Sequence, residues 1–174
     1  IHRHPLKGRN FEDVSEDPFL TGKIAAAVVR GIAKKGVHAT IKHFACNSQE
    51  TGRHIVNAIV SQRALREIYL KAFEIAVKEG KAQSIMTSYN PINGFWTASA
   101  YDLNTTILRK EWGYEGIVMT DWWANINDVV EGGEGSEQRT ADMVRAQNDI
   151  YMVVNNNGAE INAFGDDSVE ALDT

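Results

Sequence analysis

The fold can be argued from one segment, Gly116-Ile117-Val118-Met119-Thr120-Asp121-Trp122-Trp123. A short apolar run rich in β-branched residues follows a glycine and ends in a carboxylate and two indoles, which describes a buried strand rather than a helix. The same kind of run recurs at Val37-His38-Ala39-Thr40-Ile41-Lys42-His43-Phe44, at Ser84-Ile85-Met86-Thr87-Ser88-Tyr89 and at Asp149-Ile150-Tyr151-Met152-Val153-Val154. Between these runs the period changes. Thr21 to Lys35 reads as a helix with Ile24, Val28 and Ile32 on one face and Gly36 as its stop. Ser61 to Lys78 reads as a stronger one, with Leu65, Ile68, Ala72, Ile75 and Val77 near one side, Ser61 as N-cap and Gly80 beyond its end. Its apolar face is expected to pack on the sheet. Shorter helices are expected at Asn104 to Trp112 and Glu137 to Gln147, each just ahead of a strand.

Strand and helix in alternation imply βα units and a parallel sheet. The strands have the length of those in a (β/α)8 TIM barrel, but a whole barrel takes about 250 residues. The fold class expected is therefore α/β, a TIM barrel present as its C-terminal half or somewhat more. Residues 1–165 are read as this partial barrel and 166–174 as the start of a linker or tail. An open half barrel would leave unpaired strand edges, so the chain is expected to belong to a longer polypeptide carrying the rest of the barrel.

Composition narrows the partners. The 174 residues are 43% hydrophobic and 24% charged, the balance of a chain that buries a core. No apolar stretch approaches the roughly 20 residues that cross a bilayer, and Ile1-His2-Arg3-His4 is too polar for a secretory signal, so neither a membrane partner nor a location outside the cytoplasm is expected. Cys46 is the only cysteine, which rules out an intrachain disulfide and a multi-cysteine metal cage. The net charge of −5 is concentrated after Tyr114, and an acidic second half argues against nucleic acid.

In βα barrels the reactive groups gather at the carboxyl ends of the strands. Here those ends are Lys42-His43, Ser88-Tyr89-Asn90, Asp121-Trp122-Trp123 and Asn155-Asn156-Asn157, an inventory that suits a neutral polyhydroxylated ligand. A sugar needs hydrogen-bonding groups around an aromatic platform. Lys42, His43, Arg9 and Arg53 are the candidate donors, Trp122 the platform, and Asp121 the carboxylate best placed to attack an anomeric carbon.

Four ordered segments, Gly8-Arg9-Asn10-Phe11-Glu12, Ser15-Glu16-Asp17-Pro18, Lys42-His43-Phe44 and Met119-Thr120-Asp121-Trp122, resemble the family 3 glycoside hydrolases, especially the multidomain β-glucosidases. The resemblance runs from Ile1 to about Gly158. It implies that Asp121 is the catalytic nucleophile of a retaining mechanism and that Trp122 lines the glycone subsite. It further implies that Arg9, Lys42, His43 and Arg53 bind sugar hydroxyls and that Met86 and Tyr89 lie beside the nucleophile, Tyr89 hydrogen-bonding it. A small carbohydrate is the implied partner, and no metal or organic cofactor is required, since two carboxyl groups about 5 Å apart suffice. Two family features have no counterpart among these residues: an early sugar-binding aspartate, expected upstream of Ile1, and the acid/base glutamate of a later domain. The N-acetylglucosaminidase branch, with a histidine in a Lys-His-Phe-Pro-Gly-His-Gly loop, fits poorly because Ala45-Cys46-Asn47 follows Phe44.

Plainer readings compete. Asp121 would otherwise be an N-cap or surface carboxylate, Lys42 and His43 ordinary strand-end groups, and Arg9 and Arg53 partners of Glu12 and Glu50. Met86, Tyr89, Trp122 and Trp123 would be core. Cys46 near His43 lacks the third group of a nucleophilic triad, His2-Arg3-His4 reads as a frayed terminus, and Gly132-Gly133-Glu134-Gly135 as a flexible acidic loop. Two alternative functions stand beside hydrolysis: a non-catalytic carbohydrate-binding remnant, and a Schiff-base lyase built on Lys42.

Overall fold

In the computed structural model, which describes residues 1–152, Asp17 and Pro18 start the first helix. The Asp17 carboxylate accepts the Leu20 amide at 2.9 Å and Pro18 fills the first turn, where an N–H would have no partner in any case. Helix α1 therefore runs Pro18–Ala33, ahead of the expected start at Thr21. Its packing face is not the expected one. Ile24, Val28 and Ile32 remain 41%, 52% and 36% exposed, while Gly22, Ala26 and Val29 are buried. The reason is distance: a Cβ on Gly22 would lie 2.7 Å from Ile75 Cδ1, and one on Gly80 would lie 2.9 Å from Ala26 Cα. Small residues bring α1 against the second helix closely enough to exclude larger ones.

That second helix, α2, starts as Gln62–Ala64 with Ser61 Oγ accepting the Ala64 amide at 3.2 Å. It widens through Leu65–Tyr69, where the Leu70 amide reaches back five residues to the Leu65 carbonyl at 2.8 Å, and finishes as Lys71–Lys78. Leu65, Ala72, Ile75 and Val77 are buried as the periodicity predicts, Ile68 is only partly buried, and Leu70, outside that stripe, is fully buried; Leu65, Leu70 and Val77 join Phe44, Ile85 and Val118 of the sheet in one core cluster.

Strands β1 (Thr40–Phe44), β2 (Ser84–Thr87) and β5 (Ile117–Met119) form a parallel sheet in the order β1-β2-β5, with Ile41 opposite Ile85 and Ile85 opposite Val118. The fourth expected strand reaches the same sheet: Ile150 bridges Met119 in parallel, and the Thr120 amide donates to the Ile150 carbonyl at 2.9 Å. Val153, Val154, the Asn155-Asn156-Asn157 end and the boundary at 165/166 lie outside the described residues. The helix between β2 and β5, α3 (Asp102–Glu111), is also wide, its end closed by the Trp112 amide on the Ile107 carbonyl at 3.0 Å.

Two hairpins were not anticipated. Strands β3 (Pro91–Ile92) and β4 (Phe95–Trp96) turn through Asn93-Gly94, both at positive φ, the pair that a tight hairpin favours. Strands β6 (Ile126–Asp128) and β7 (Gly132–Ser136) pair antiparallel, so the stretch Gly132-Gly133-Glu134-Gly135 is a strand and not a loose loop. A Cβ on Gly135 would lie 2.8 Å from the Trp96 ring, so glycine there admits the indole. Helix α4 (Thr140–Arg145) is shorter than expected. The His2-Arg3-His4 segment is held rather than frayed: the His2 amide donates to the Ser15 carbonyl at 3.0 Å. Among the described residues no helix is long and apolar enough to cross a membrane.

Candidate functional site

The carboxyl ends of β1, β2 and β5 meet on one edge of the sheet, and cross-strand hydrogen bonds hold them in register there. The Ser88 amide donates to the Phe44 carbonyl at 2.9 Å, while Ser88 Oγ and Asn90 Nδ2 both donate to the Ala45 carbonyl, at 2.8 and 3.2 Å. The turn after β1 is thus pinned by the end of β2. At the end of β5, Thr120 is fully buried and its Oγ1 accepts the Met152 amide at 2.9 Å.

Asp121 is 8% exposed, so it is not the solvated carboxylate of the plainer reading. Its Oδ1 accepts the Trp122 amide at 2.8 Å and its Oδ2 stands 3.4 Å from His43 Nε2. Burial pushes the His43 imidazole down to about 4, against the upward pull of Asp121 and with help from Arg9 and Lys42. The ring is neutral at pH 7. Asp121 consequently faces a neutral imidazole rather than a compensating cation.

Tyr89, 9% exposed, donates its hydroxyl to the Trp122 carbonyl at 2.7 Å. Burial, then the Asp121 charge beside it, pushes this phenol up to about 12, which keeps it a donor. Trp122 is 39% exposed, whereas Trp123 packs against the smaller core cluster around Tyr89 and Ile126. Met86 is buried on β2 in register with Met119 of β5.

Arg9, Lys42 and His43, together with Glu12 and Glu50, line a cavity of 310 Å³; Asp121 is not among its lining residues and adjoins it through His43. Arg9 pairs with Glu12, and Arg53 Nη1 lies 2.7 Å from Glu50 Oε2, so both plain pairings exist. They do not remove the arginines from the site: the Arg53 guanidinium carbon sits 5.1 Å from the Tyr89 ring centroid. A larger cavity of 740 Å³, lined by Leu65, Ile92, Phe95, Leu103 and Ile107 among others, contains none of the candidates.

Two residues were missed. His54 stacks on Tyr89 with ring centroids 4.0 Å apart, and Asn47 Nδ2 donates to Glu50 Oε1 at 2.9 Å. For Asn47 the regular spacing with Glu50 and Arg53 was the available signal; nothing in the sequence marked His54. Cys46 is only partly exposed, and burial pushes its thiol up to about 12, the opposite of an activated nucleophile. His2 and His4 are engaged with Asn10 and the Leu6 amide, and no group of His, Cys, Asp or Glu suited to a metal occurs among the described residues.

A family model described as the glycosyl hydrolase family 3 N-terminal domain matches residues 1–173. A β-glucosidase of Ruminococcus albus is 62% identical over 153 residues, which are 88% of this chain and 16% of that protein. The structure of a β-glucosidase from Paenibacillus barengoltzii superposes with a TM-score of 0.94 at 70% identity, covering 99% of this chain and 19% of that one. The complex of β-glucosidase 3B from Thermotoga neapolitana with glucose superposes at 0.82 and 44% identity, over 99% of this chain and 22% of that one. The chain thus spans less than a quarter of the length of these relatives.

Proposed function

The chain belongs to glycosyl hydrolase family 3, within whose N-terminal domain its parallel strands form part of a TIM-barrel-type fold, and on that premise we propose that it carries the nucleophile half of a retaining β-glucosidase site. Relatives at 62% and 52% identity that share this segment are named β-glucosidases, two at 54% are named exo-α-(1→6)-L-arabinopyranosidases, and one of the matching structures is a glucose complex. The ligand is accordingly a small neutral carbohydrate with a β-linked glucose or related glycone. The observation that carries the reading is the pairing of a nearly buried carboxylate, Asp121, with a neutral imidazole, His43, at 3.4 Å.

The chemistry follows from those states. Asp121 attacks the anomeric carbon and forms a glycosyl ester as the bond to the aglycone oxygen breaks; that oxygen takes its proton from a carboxylic acid supplied outside residues 1–174. Water, deprotonated by the same group, then attacks the anomeric carbon and releases the sugar with retained configuration and Asp121 restored. A cationic His43 would stabilise the Asp121 carboxylate and weaken it as a nucleophile; the neutral ring leaves it reactive and can exchange a hydrogen bond with a sugar hydroxyl. Lys42, Arg9 and Arg53 add charged donors to the hydroxyls, Trp122 offers its face to the C–H side of the ring, and Met86, paired with Met119 of the nucleophile's strand, packs beside Asp121. Tyr89 donates near the carboxylate and fixes the backbone that follows it.

Turnover of an aryl β-glucoside by the full-length protein is the test. Asp121→Ala is expected to lower kcat by several powers of ten, the usual consequence of losing a nucleophile. Equal rates for the two proteins would end this reading.

A further inference from the structure

We infer that Glu50 is a positioning residue for the sugar-binding arginines, holding Arg53 directly and the segment that carries Arg9 through the backbone. The inference rests on the glycosidase reading above and adds to it a residue that touches no reacting atom.

The geometry around Glu50 is unusually complete for a partly exposed carboxylate. Oε2 takes the Arg53 guanidinium at 2.7 Å and Oε1 takes Asn47 Nδ2 at 2.9 Å, so both oxygens are engaged and the rotamer is fixed at both ends. The main chain is engaged too. The Glu50 amide donates to the Lys7 carbonyl at 3.2 Å, and the Arg53 amide donates to the Glu50 carbonyl at 3.2 Å. Gly8, immediately before Arg9, has a φ of +95°, and a Cβ there would come within 3.1 Å of Glu50 Cγ. Glu50 is wedged where the N-terminal segment crosses the turn after β1.

Consequences follow for both arginines. Arg53 has its guanidinium carbon 5.1 Å from the Tyr89 ring centroid, and the next residue, His54, stacks on the same ring at 4.0 Å. A long flexible side chain reaches a sugar hydroxyl with little entropic cost only if it is already immobilised, and a two-point carboxylate clamp supplies that. Glu50 also lines the 310 Å³ cavity with Arg9, Lys42 and His43, where its negative charge offsets part of theirs and suits the cleft to an uncharged ligand. Arg9 keeps a carboxylate of its own, Glu12.

The test uses the full-length enzyme with an aryl β-glucoside. Glu50→Gln is expected to raise KM about tenfold, the loss of one charge-assisted hydrogen bond, while kcat changes less than about twofold. Asn47→Ala, which frees only the second oxygen, is expected to raise KM by a smaller factor in the same direction and serves if Glu50→Gln does not fold. In a double-mutant cycle, Glu50→Gln is expected to add little to the KM of Arg53→Ala. Unchanged KM in a folded Glu50→Gln or, if that variant does not fold, in Asn47→Ala would overturn the inference, as would full additivity with Arg53→Ala. An Asp121→Ala variant as active as the parent would instead overturn the glycosidase reading itself, so the two failures are distinguishable.

Discussion

Two titrations define the site at the level of single residues, and each has a sign. His43 is held near 4 mainly by burial, well below the ordinary imidazole value of 6.5. The folded protein therefore binds fewer protons than the unfolded chain between about pH 6.5 and 4, and stability that is fully present above 6.5 is lost as pH falls through that window. Thermal midpoints measured from pH 7.5 to 4.5 are expected to fall, and His43→Gln is expected to flatten the slope; identical slopes would show that His43 does not contribute. Tyr89 shifts the other way, to about 12, so it donates at every working pH. Tyr89→Phe removes the donor to the Trp122 carbonyl and from beside Asp121, leaving the carbonyl unpaired. The expected cost is about 1–3 kcal/mol of stability, read by denaturant unfolding of the full-length protein, and an unchanged midpoint would show that the bond contributes nothing.

Among the elements, packing distance decided what the hydrophobic pattern did not. The β-branched runs ending at Phe44, Tyr89 and Asp121 were legible because a buried parallel strand leaves a short apolar segment with a polar end. The candidate site was legible for the same reason, as strand ends concentrate side chains on one edge. The orientation of α1 was not legible: Ile24, Val28 and Ile32 make the stronger stripe, yet Gly22 and Ala26 take the interface because only they permit the approach to Ile75 and Gly80. Nor were the hairpins: the two-residue strands of the first offer no measurable period, and the glycine-rich β7 of the second reads as a loop; only Asn93-Gly94 could have announced one. Glu50 was legible as a partner for Arg53 but not as a clamp, which depends on Asn47 and Lys7 meeting it in space. Gly80→Ala tests the close approach. The added Cβ would lie 2.4 Å from the Ala76 carbonyl oxygen and 2.9 Å from Ala26 Cα, backbone atoms that cannot swing aside. Destabilisation of about 1–3 kcal/mol is expected in the full-length protein, measured by denaturant unfolding; an unchanged midpoint would mean that the α1–α2 contact yields.

Over the whole molecule, the consequence of that same interface is an apolar surface. Leu20, Ile24, Val28 and Ile32 recur every four residues along α1 and are 49%, 41%, 52% and 36% exposed, with Phe19 and Val37 also exposed at 57% and 58%. Single exposed aliphatic side chains are ordinary, but a continuous helical stripe is not, and such patches drive association in water. The charged groups of α1, Lys23 paired with Glu79 and Arg30 bonded to the Glu79 carbonyl, are committed to the α2 side and do nothing to solvate the stripe. The isolated 174-residue chain is accordingly expected to self-associate. Sedimentation velocity should show species larger than 19.3 kDa whose size distribution grows with concentration. Replacing Ile24 and Val28 with glutamate is expected to shift the chain toward a monomer, because two like charges on one helix face repel a second copy while leaving Gly22, Ala26 and Val29 untouched. A monomeric parent chain, or a charged variant that associates as strongly, would mean that the stripe is not the adhesive surface.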